Sequence, residues 1–234
     1  MKELLILQMI AHLMADFIFQ SEKWCKEKEE NVFSTKLFLH AAIVFLCSFA
    51  LSFSLSFWWA ALIISVSHFL IDAAKNYLIK RNCLKKYLFF IDQFFHFIAI
   101  IIIVFLFTKS NDFSFCCSTK ELLIVFSFIF CTKPANVLIK KVIESYEISK
   151  TKNNENDESL EKAGRIIGVL ERILTFTLIL FGQYGAVGFI FAAKSILRFR
   201  DGENAEAKTE YLLIGSLMSF GIAILLGIFC KEII

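Results

Sequence analysis

The sequence predicts an all-α, polytopic bundle of transmembrane helices, and three observations carry that reading. Of 234 residues 57% are hydrophobic, 28 are Phe and only one is Pro, and the mean hydropathy is +0.65. A soluble domain runs nearer to ~50% apolar and ~25% charged, so a water-facing fold of this length could not hide these side chains. The apolar residues stand in continuous runs rather than in alternation, which selects helices over membrane strands. The charged residues, 20% of the chain, gather largely between the runs. Disorder requires low hydrophobicity and is excluded.

Taken in order, the runs are Leu4–Phe19, Leu37–Leu55, Phe57–Ile71, Tyr87–Phe107, Leu122–Ile139 (interrupted at Lys133-Pro134), Ile166–Phe181, Ala186–Leu197 and Tyr211–Cys230. A hydrocarbon core of ~30 Å needs about 20 helical residues, and most runs meet or approach that length. The seventh is short enough to be re-entrant or interfacial, so seven or eight spans are expected. The first run carries His12 and Asp16 and lacks a small-residue cleavage site, which predicts a retained helix rather than a signal peptide. The polar stretch Ser149–Ser159 sets the organisation: an N-terminal five-helix unit over 1–145, a cytoplasmic linker over 146–163, and a C-terminal unit of two or three helices over 164–234.

Orientation follows from the basic residues. With eight spans, 21 of the 25 Lys and Arg fall on one side, leaving Lys2, Lys109, Lys120 and Lys231 on the other. The positive-inside rule makes the basic side cytoplasmic and the protein a multi-pass component of the inner (plasma) membrane. The net charge of +3 therefore marks topology and contact with the bilayer, not nucleic-acid binding. Trp24 and Trp58-Trp59 read as interface anchors. The seven cysteines show no C-x-x-C pair and read as small hydrophobes, with Cys116-Cys117 in an outer loop.

The histidines are the informative feature. There are four, His12, His40, His68 and His96, at a constant spacing of 28. Three have a carboxylate four residues away, giving His12/Asp16, His68/Asp72 and Asp92/His96. Residues i and i+4 share a helix face, so each pair can aim a ring nitrogen and a carboxylate at one point. In the alternating topology all seven groups fall at one depth, near the cytoplasmic ends of four helices. Ionisable groups inside a membrane are costly and mark function by default. A shift of 56 residues places His12 on His68, Asp16 on Asp72 and His40 on His96, a parallel repeat of helices one-two and three-four. Two similar half-sites facing each other favour two adjacent divalent ions, with His12, Asp16, His40, His68, Asp72, Asp92 and His96 as ligands. Imidazole and carboxylate suit zinc, iron or manganese. A structural polar network and a proton or ion path are the competing readings; bis-histidine haem has no use for the acids.

The run Ala11-His12-Leu13-Met14-Ala15-Asp16-Phe17-Ile18-Phe19-Gln20, with Trp24, Lys36, His40, His68-Phe69-Leu70-Ile71-Asp72, Lys75 and Asp92-Gln93-Phe94-Phe95-His96, resembles the bacterial membrane family of domain-of-unknown-function 3307. The segments Gly164–Arg172, Lys194–Phe199 and Glu210–Gly215 are similar to it too. That family implies no established activity. More distantly, the histidine half is similar to the YdjM-like inner-membrane proteins, themselves proposed to be metal-dependent hydrolases.

In the C-terminal half, Arg165, Glu171, Arg172, Lys194, Arg198 and Glu210 flank or enter the last spans on the cytoplasmic side. They read either as a salt-bridge network or as a binding set for an anionic substrate, since Arg suits phosphate and carboxylate. Gly164 and Gly168 are placed to allow close helix packing. There is no P-loop, no G-x-S-x-G and no H-E-x-x-H. The expectation is a metal-dependent hydrolase of an amphiphilic, phosphate-bearing substrate, with Asp16, Asp72 or Asp92 as ligand or general base. A metal or proton transporter and a scaffold with structural metal are the alternatives.

Overall fold

The computed structural model describes residues 1–21, 24–25, 27, 34–81, 86–111, 113–146, 157–198 and 206–233, of which 157–163, 197–198 and 206–212 by backbone alone. Among the described residues every regular element is helical. The helices are α1 (Lys2–Leu13), α2 (Thr35–Ser52), α3 (Trp58–Lys80), α4 (Leu88–Ser110), α5 (Thr119–Phe130), α6 (Lys133–Ser145), α7 (Asp157–Leu180), α8 (Tyr184–Arg198) and α9 (Glu206–Ile233). A π-helical turn over Met14–Ile18 prolongs α1, and a 3₁₀ turn over Leu55–Phe57 leads into α3.

Four helical segments are long and apolar enough to cross a membrane: Thr35–Ser52, Leu55–Lys80, Leu88–Ser110 and Leu213–Ile233. A fifth appears if α5 and α6 count as one span bent by 55°. Length and composition therefore do not reach the seven or eight spans expected from the apolar runs. The helix α1 ends early in its π turn, α8 has only 15 residues, and α7 carries Arg165, Glu171 and Arg172 among its apolar side chains. The bend between α5 and α6 falls at the Lys133-Pro134 interruption, where Pro occupies the first turn of α6 and has no N–H to lose there.

The chain divides into two compact units, Met1–Phe126 and Ser127–Ile234. The boundary lies inside α5, upstream of the polar linker expected over 146–163, of which 147–156 lie outside the described residues.

In the first unit α1 to α4 close a ring: α1 packs on α2 and α4, and α3 packs on the same two. The ring is built by one buried position per turn. In α2 these are Leu37, His40, Val44, Ser48 and Ser52, and in α4 they are Leu88, Asp92, His96, Ile100, Val104 and Phe107. That spacing keeps one stripe turned inward while the rest of each helix faces outward. One end of the ring interior is apolar, filled by Leu4, Phe57, Ala60, Ala61, Ile100, Val104 and Phe107. Phe57 and Phe107 meet edge to face at 4.9 Å between centroids. The other end is polar. Between them a buried clamp joins α1 to α2: the Gln8 amide donates to the Ser48 carbonyl at 3.1 Å and accepts from the Ser48 hydroxyl at 2.5 Å.

In the second unit α9 packs on α7 and α6, and α8 on α7. The close approach is at Gly227, where a Cβ would stand 2.6 Å from Ile179 Cγ2 and 2.8 Å from its Cβ. Gly164, expected to serve packing, has open space around it among the described residues, and at Gly168 the nearest atom is 3.4 Å away on Arg172. Because the Ile179 Cβ is fixed to its backbone, Gly227→Ala has to push α7 and α9 apart. Overpacking costs about 1–3 kcal/mol, more than the helix-propensity gain of at most about 1. Thermal unfolding in detergent should show Gly227→Ala destabilised, while Gly164→Ala equals or exceeds wild type. Equal behaviour of the two would remove the packing role of Gly227.

Candidate metal centre

The polar end of the first unit is assembled from the ends of its four helices. His12 sits in the last turn of α1, Asp16 in the π turn, His40 in the second turn of α2, His68 and Asp72 in the C-terminal half of α3, and Asp92 and His96 in the first turns of α4. All seven residues singled out in the sequence come together. His12, His40, His68, Asp72, Asp92 and His96 are each at most 3% exposed, so water cannot dissipate their polarity.

The three i,i+4 pairs are close, at 3.9 Å for His12/Asp16, 3.7 Å for His68/Asp72 and 3.4 Å for Asp92/His96. The shortest contacts, however, cross between helices. His68 Nε2–H donates to Asp16 Oδ1 at 2.9 Å, and His40 Nε2 lies 3.2 Å from the same oxygen. The π turn explains the reach of Asp16. Its i→i+5 bond, Phe19 N–H to the Met14 carbonyl at 2.9 Å, widens the turn and swings the carboxylate off the α-helical face toward α2 and α3. Asp72 is the counterpart on α3, with His40 at 3.7 Å and His96 at 3.9 Å. The Asp16–His40 and Asp72–His96 contacts are related by the shift of 56 residues, so the sequence repeat has a geometric echo. The His68 and His96 rings stack at 3.8 Å, nearly parallel.

Two further residues complete the cluster. The Lys75 ammonium donates to Asp92 Oδ2 at 3.1 Å. Gln93 donates its NH₂ to Asp16 Oδ2 at 3.3 Å and to Asp92 Oδ2 at 3.4 Å, and its Oε1 lies 3.2 Å from His12 Nε2. Carboxylates only accept, so the NH₂ must face them. The Gln93 oxygen then faces His12, which must donate from Nε2. Lys75 is the i+3 neighbour of Asp72 on α3 and Gln93 follows Asp92 on α4; both stand in the motifs quoted above, but the sequence alone assigns neither a role in the site.

Several ring nitrogens are left over. His12 Nδ1, both nitrogens of His40, His68 Nδ1 and His96 Nε2 are buried without a hydrogen bond among the described residues. Nitrogens that cannot reach water and have no donor or acceptor in line are rare in a folded interior. Three of these, His40 Nε2, His68 Nδ1 and His96 Nε2, lie beside carboxylate oxygens. Three groups of ligand atoms fall within 4.8 Å of one another: His12/Asp16/His68, His40/His68/Asp72 and Asp72/Asp92/His96. The donor set fits a divalent cation, and the cluster can hold one.

The charged residues expected in the second half are placed differently. Arg172 is 2% exposed and is used up within its own unit. Its guanidinium donates to the carbonyls of Cys131 (2.7 Å) and Thr132 (3.4 Å), to Asn136 Oδ1 (2.5 Å) and to Ser219 Oγ (3.0 Å). It thus caps the carbonyl end of α5 at the bend, where the helix dipole welcomes a cation. Glu171 is paired with Lys194. Arg165 is partly buried, and the side chains of Arg198 and Glu210 lie outside the described residues. Six of the seven cysteines are free thiols, and Cys83 lies outside the described residues.

Fold and cluster together define a helical protein with several helices suited to a membrane and a buried histidine–aspartate centre. The family described as "Protein of unknown function (DUF3307)" matches residues 4–124, just over half the chain, and the chain belongs to that family. The matched region contains the whole cluster. No curated protein and no solved structure matches, so the likeness to YdjM-like proteins finds no support there.

Gln93 ties α4 to α1 and its π turn through groups that have little water to fall back on. Gln93→Leu should therefore destabilise by about 1–3 kcal/mol, the cost of orphaning a buried polar partner. Gln93→Glu should do at least as much, by adding a carboxylate beside Asp16 and Asp92. Thermal unfolding in detergent tests this; wild-type midpoints for both variants would show that Gln93 is dispensable.

Proposed function

We propose that the cluster binds a divalent transition-metal ion, zinc before iron or manganese, and hydrolyses an amphiphilic, phosphate-bearing substrate at the cytoplasmic leaflet. The observation that carries this is the set of buried ring nitrogens that have no hydrogen bond and crowd the carboxylates. When bound, such an ion lowers the pKa of a water and offers positive charge to a phosphoryl oxygen. The roles of the chain follow from its chemistry. Histidines and aspartates hold the ion, and an aspartate outside the coordination sphere accepts the proton of the attacking water.

The surroundings favour an amphiphile. Ile18, Phe19, Phe38, Leu39, Leu70, Phe94 and Phe95 are exposed beside the cluster residues on all four helices. A substrate reaching this depth from the lipid needs an apolar body and a polar group to present. The opposite end of the ring is closed by the apolar core around Phe57 and Phe107, which favours a one-sided site over a conduit. A second reading, a metal or proton carrier, has one observation in its favour. Gln8, Ser48 and Ser52 continue the polar line from His12 and His40 along α1 and α2, with Val44 as the apolar break.

Counting α1, α7 and α8 as further spans gives eight, with the basic loops cytoplasmic. In that arrangement an impermeant maleimide labels Cys116 in intact cells stripped of their outer membrane, and Cys25 only after permeabilisation. The reverse pattern would invert the topology. The metal reading is tested by elemental analysis of protein purified under metal-replete conditions. Wild type should retain a transition metal and His68→Ala should lose it. A metal-free wild type would sink the proposal, and metal uptake into proteoliposomes would replace the hydrolase by the carrier.

A further inference from the structure

The three candidate ligand groups are not equivalent. The central one, His40/His68/Asp72, shares His68 with the first and Asp72 with the third. Filling it takes His68 from the first group, whereas Asp72, with Oδ2 toward His40 and His68 and Oδ1 toward His96, can serve it and the third at once as a bridging carboxylate. Two ions would occupy either the two outer groups, His12/Asp16/His68 and Asp72/Asp92/His96, which share no residue, or the central and third groups bridged by Asp72.

Both outer groups have a carboxylate already engaged. In the first, Asp16 Oδ1 accepts the proton of His68 Nε2 at 2.9 Å. That bond fixes the tautomer: Nε2 carries the hydrogen and Nδ1 carries the lone pair. The His68 Nδ1 lone pair faces Asp72 Oδ2 at 3.7 Å, and no hydrogen bond joins them. His40 Nε2, also without a hydrogen bond, stands 3.7 Å from the same Asp72 oxygen. Two ring nitrogens without a hydrogen bond thus converge on one Asp72 oxygen. Asp16 behind His68 is the outer carboxylate that orients a metal-binding imidazole and raises its basicity. In the third group, Asp92 Oδ2 receives the Lys75 ammonium at 3.1 Å. A dication on Asp92 would sit beside that ammonium in a setting with little water to screen the repulsion.

Resting on the metal reading above, we infer that the centre takes one divalent ion, held by His40, His68 and Asp72, and that Lys75 stands in place of a second. Asp16 is then an orienting residue rather than a ligand, and Lys75 is a positioning residue that keeps Asp92 neutralised. Lys75 is 19% exposed by its side chain against 2% for Asp92, so the amine is the less buried partner of the pair. The charge that a two-ion site would direct at an anionic oxygen is supplied by one ion and one amine.

Ion stoichiometry decides this. Detergent-purified full-length protein is equilibrated with excess zinc, freed of unbound zinc, and its zinc per chain is measured. Wild type and Lys75→Arg should hold one ion each. His40→Ala, His68→Ala and Asp72→Asn should hold less than a tenth of that. Lys75→Met, which frees Asp92, should hold two. The double variant Lys75→Met/Asp92→Asn removes the pair as a unit and should return to one, which guards against misfolding of either single variant. Two ions in wild type, one in a well-folded Lys75→Met, or none in the double variant would each overturn the assignment. Two ions in wild type would still leave the metal reading standing, whereas none in wild type would end both.

Discussion

The bond between Asp16 and His68 is the interaction on which the rest of the first unit depends. It joins the end of α1 to the middle of α3 across the ring, and the same carboxylate oxygen approaches His40 on α2. In so buried a place no water replaces such a contact, so each group must find its partner inside the protein. A single carboxylate thereby sets the relative depth of three helices. That depth decides which side chains share the polar end. It also fixes the tautomer of His68, and with it the direction in which a ring lone pair is available. Geometry and chemistry are therefore set by one contact, made possible by a five-residue π turn.

The division of the ring into a polar and an apolar end follows from the same economy. Each helix buries about one position per turn, and along α2 and α4 the inward stripe changes character from His and Asp to Val, Ile and Phe. Gathering the polar groups at one end lets them satisfy one another, because a carboxylate, an amide and an ammonium within 3–4 Å complete what none could alone. Spreading them along the stripe would leave each isolated in hydrocarbon. The apolar end can then pack aromatic rings against small residues such as Ala60 and Ala61, which lets α3 lie close to its neighbours.

Much of this was legible in the sequence. Four histidines at equal spacing, three with an acid one turn away, sufficed to place seven side chains at one end of four helices, because alternating spans and helical periodicity leave no other arrangement. The repeat was legible for the same reason. Three features were not. A π turn needs only one extra residue and leaves no mark in an apolar run, so the sequence assigned Asp16 to its own helix rather than to α2 and α3. The supporting residues Gln93 and Lys75 obey the inward spacing but are residue types found equally at membrane borders. The apolar runs lead to seven or eight spans where helix length and composition support four or five, because hydropathy counts apolar residues, not hydrogen-bonded turns. The break at Lys133-Pro134 was read correctly, but the shortness of α1 and α8 depends on where the backbone turns.

The second unit resolves a comparable problem by a different route. At the bend between α5 and α6 the last carbonyls of α5 lose their helical partners, and in an apolar interior each unpaired carbonyl is expensive. Arg172 answers this from α7, giving its guanidinium to the carbonyls of Cys131 and Thr132, which follow α5 in the connection, and to Asn136 and Ser219. The cation is compensated by the negative end of a helix and by side-chain oxygens, and Glu171 on the same helix is left to pair with Lys194. Its position therefore has a sufficient structural reason, because a bent span needs a donor-rich side chain at the break and Arg offers five donors in one plane. The contrast with the first unit is instructive. Arg172 ends with its donors matched to acceptors, whereas several histidine nitrogens end without a hydrogen bond. A buried group whose partners are all present holds the fold together; a buried group whose partner is missing points to what the protein binds.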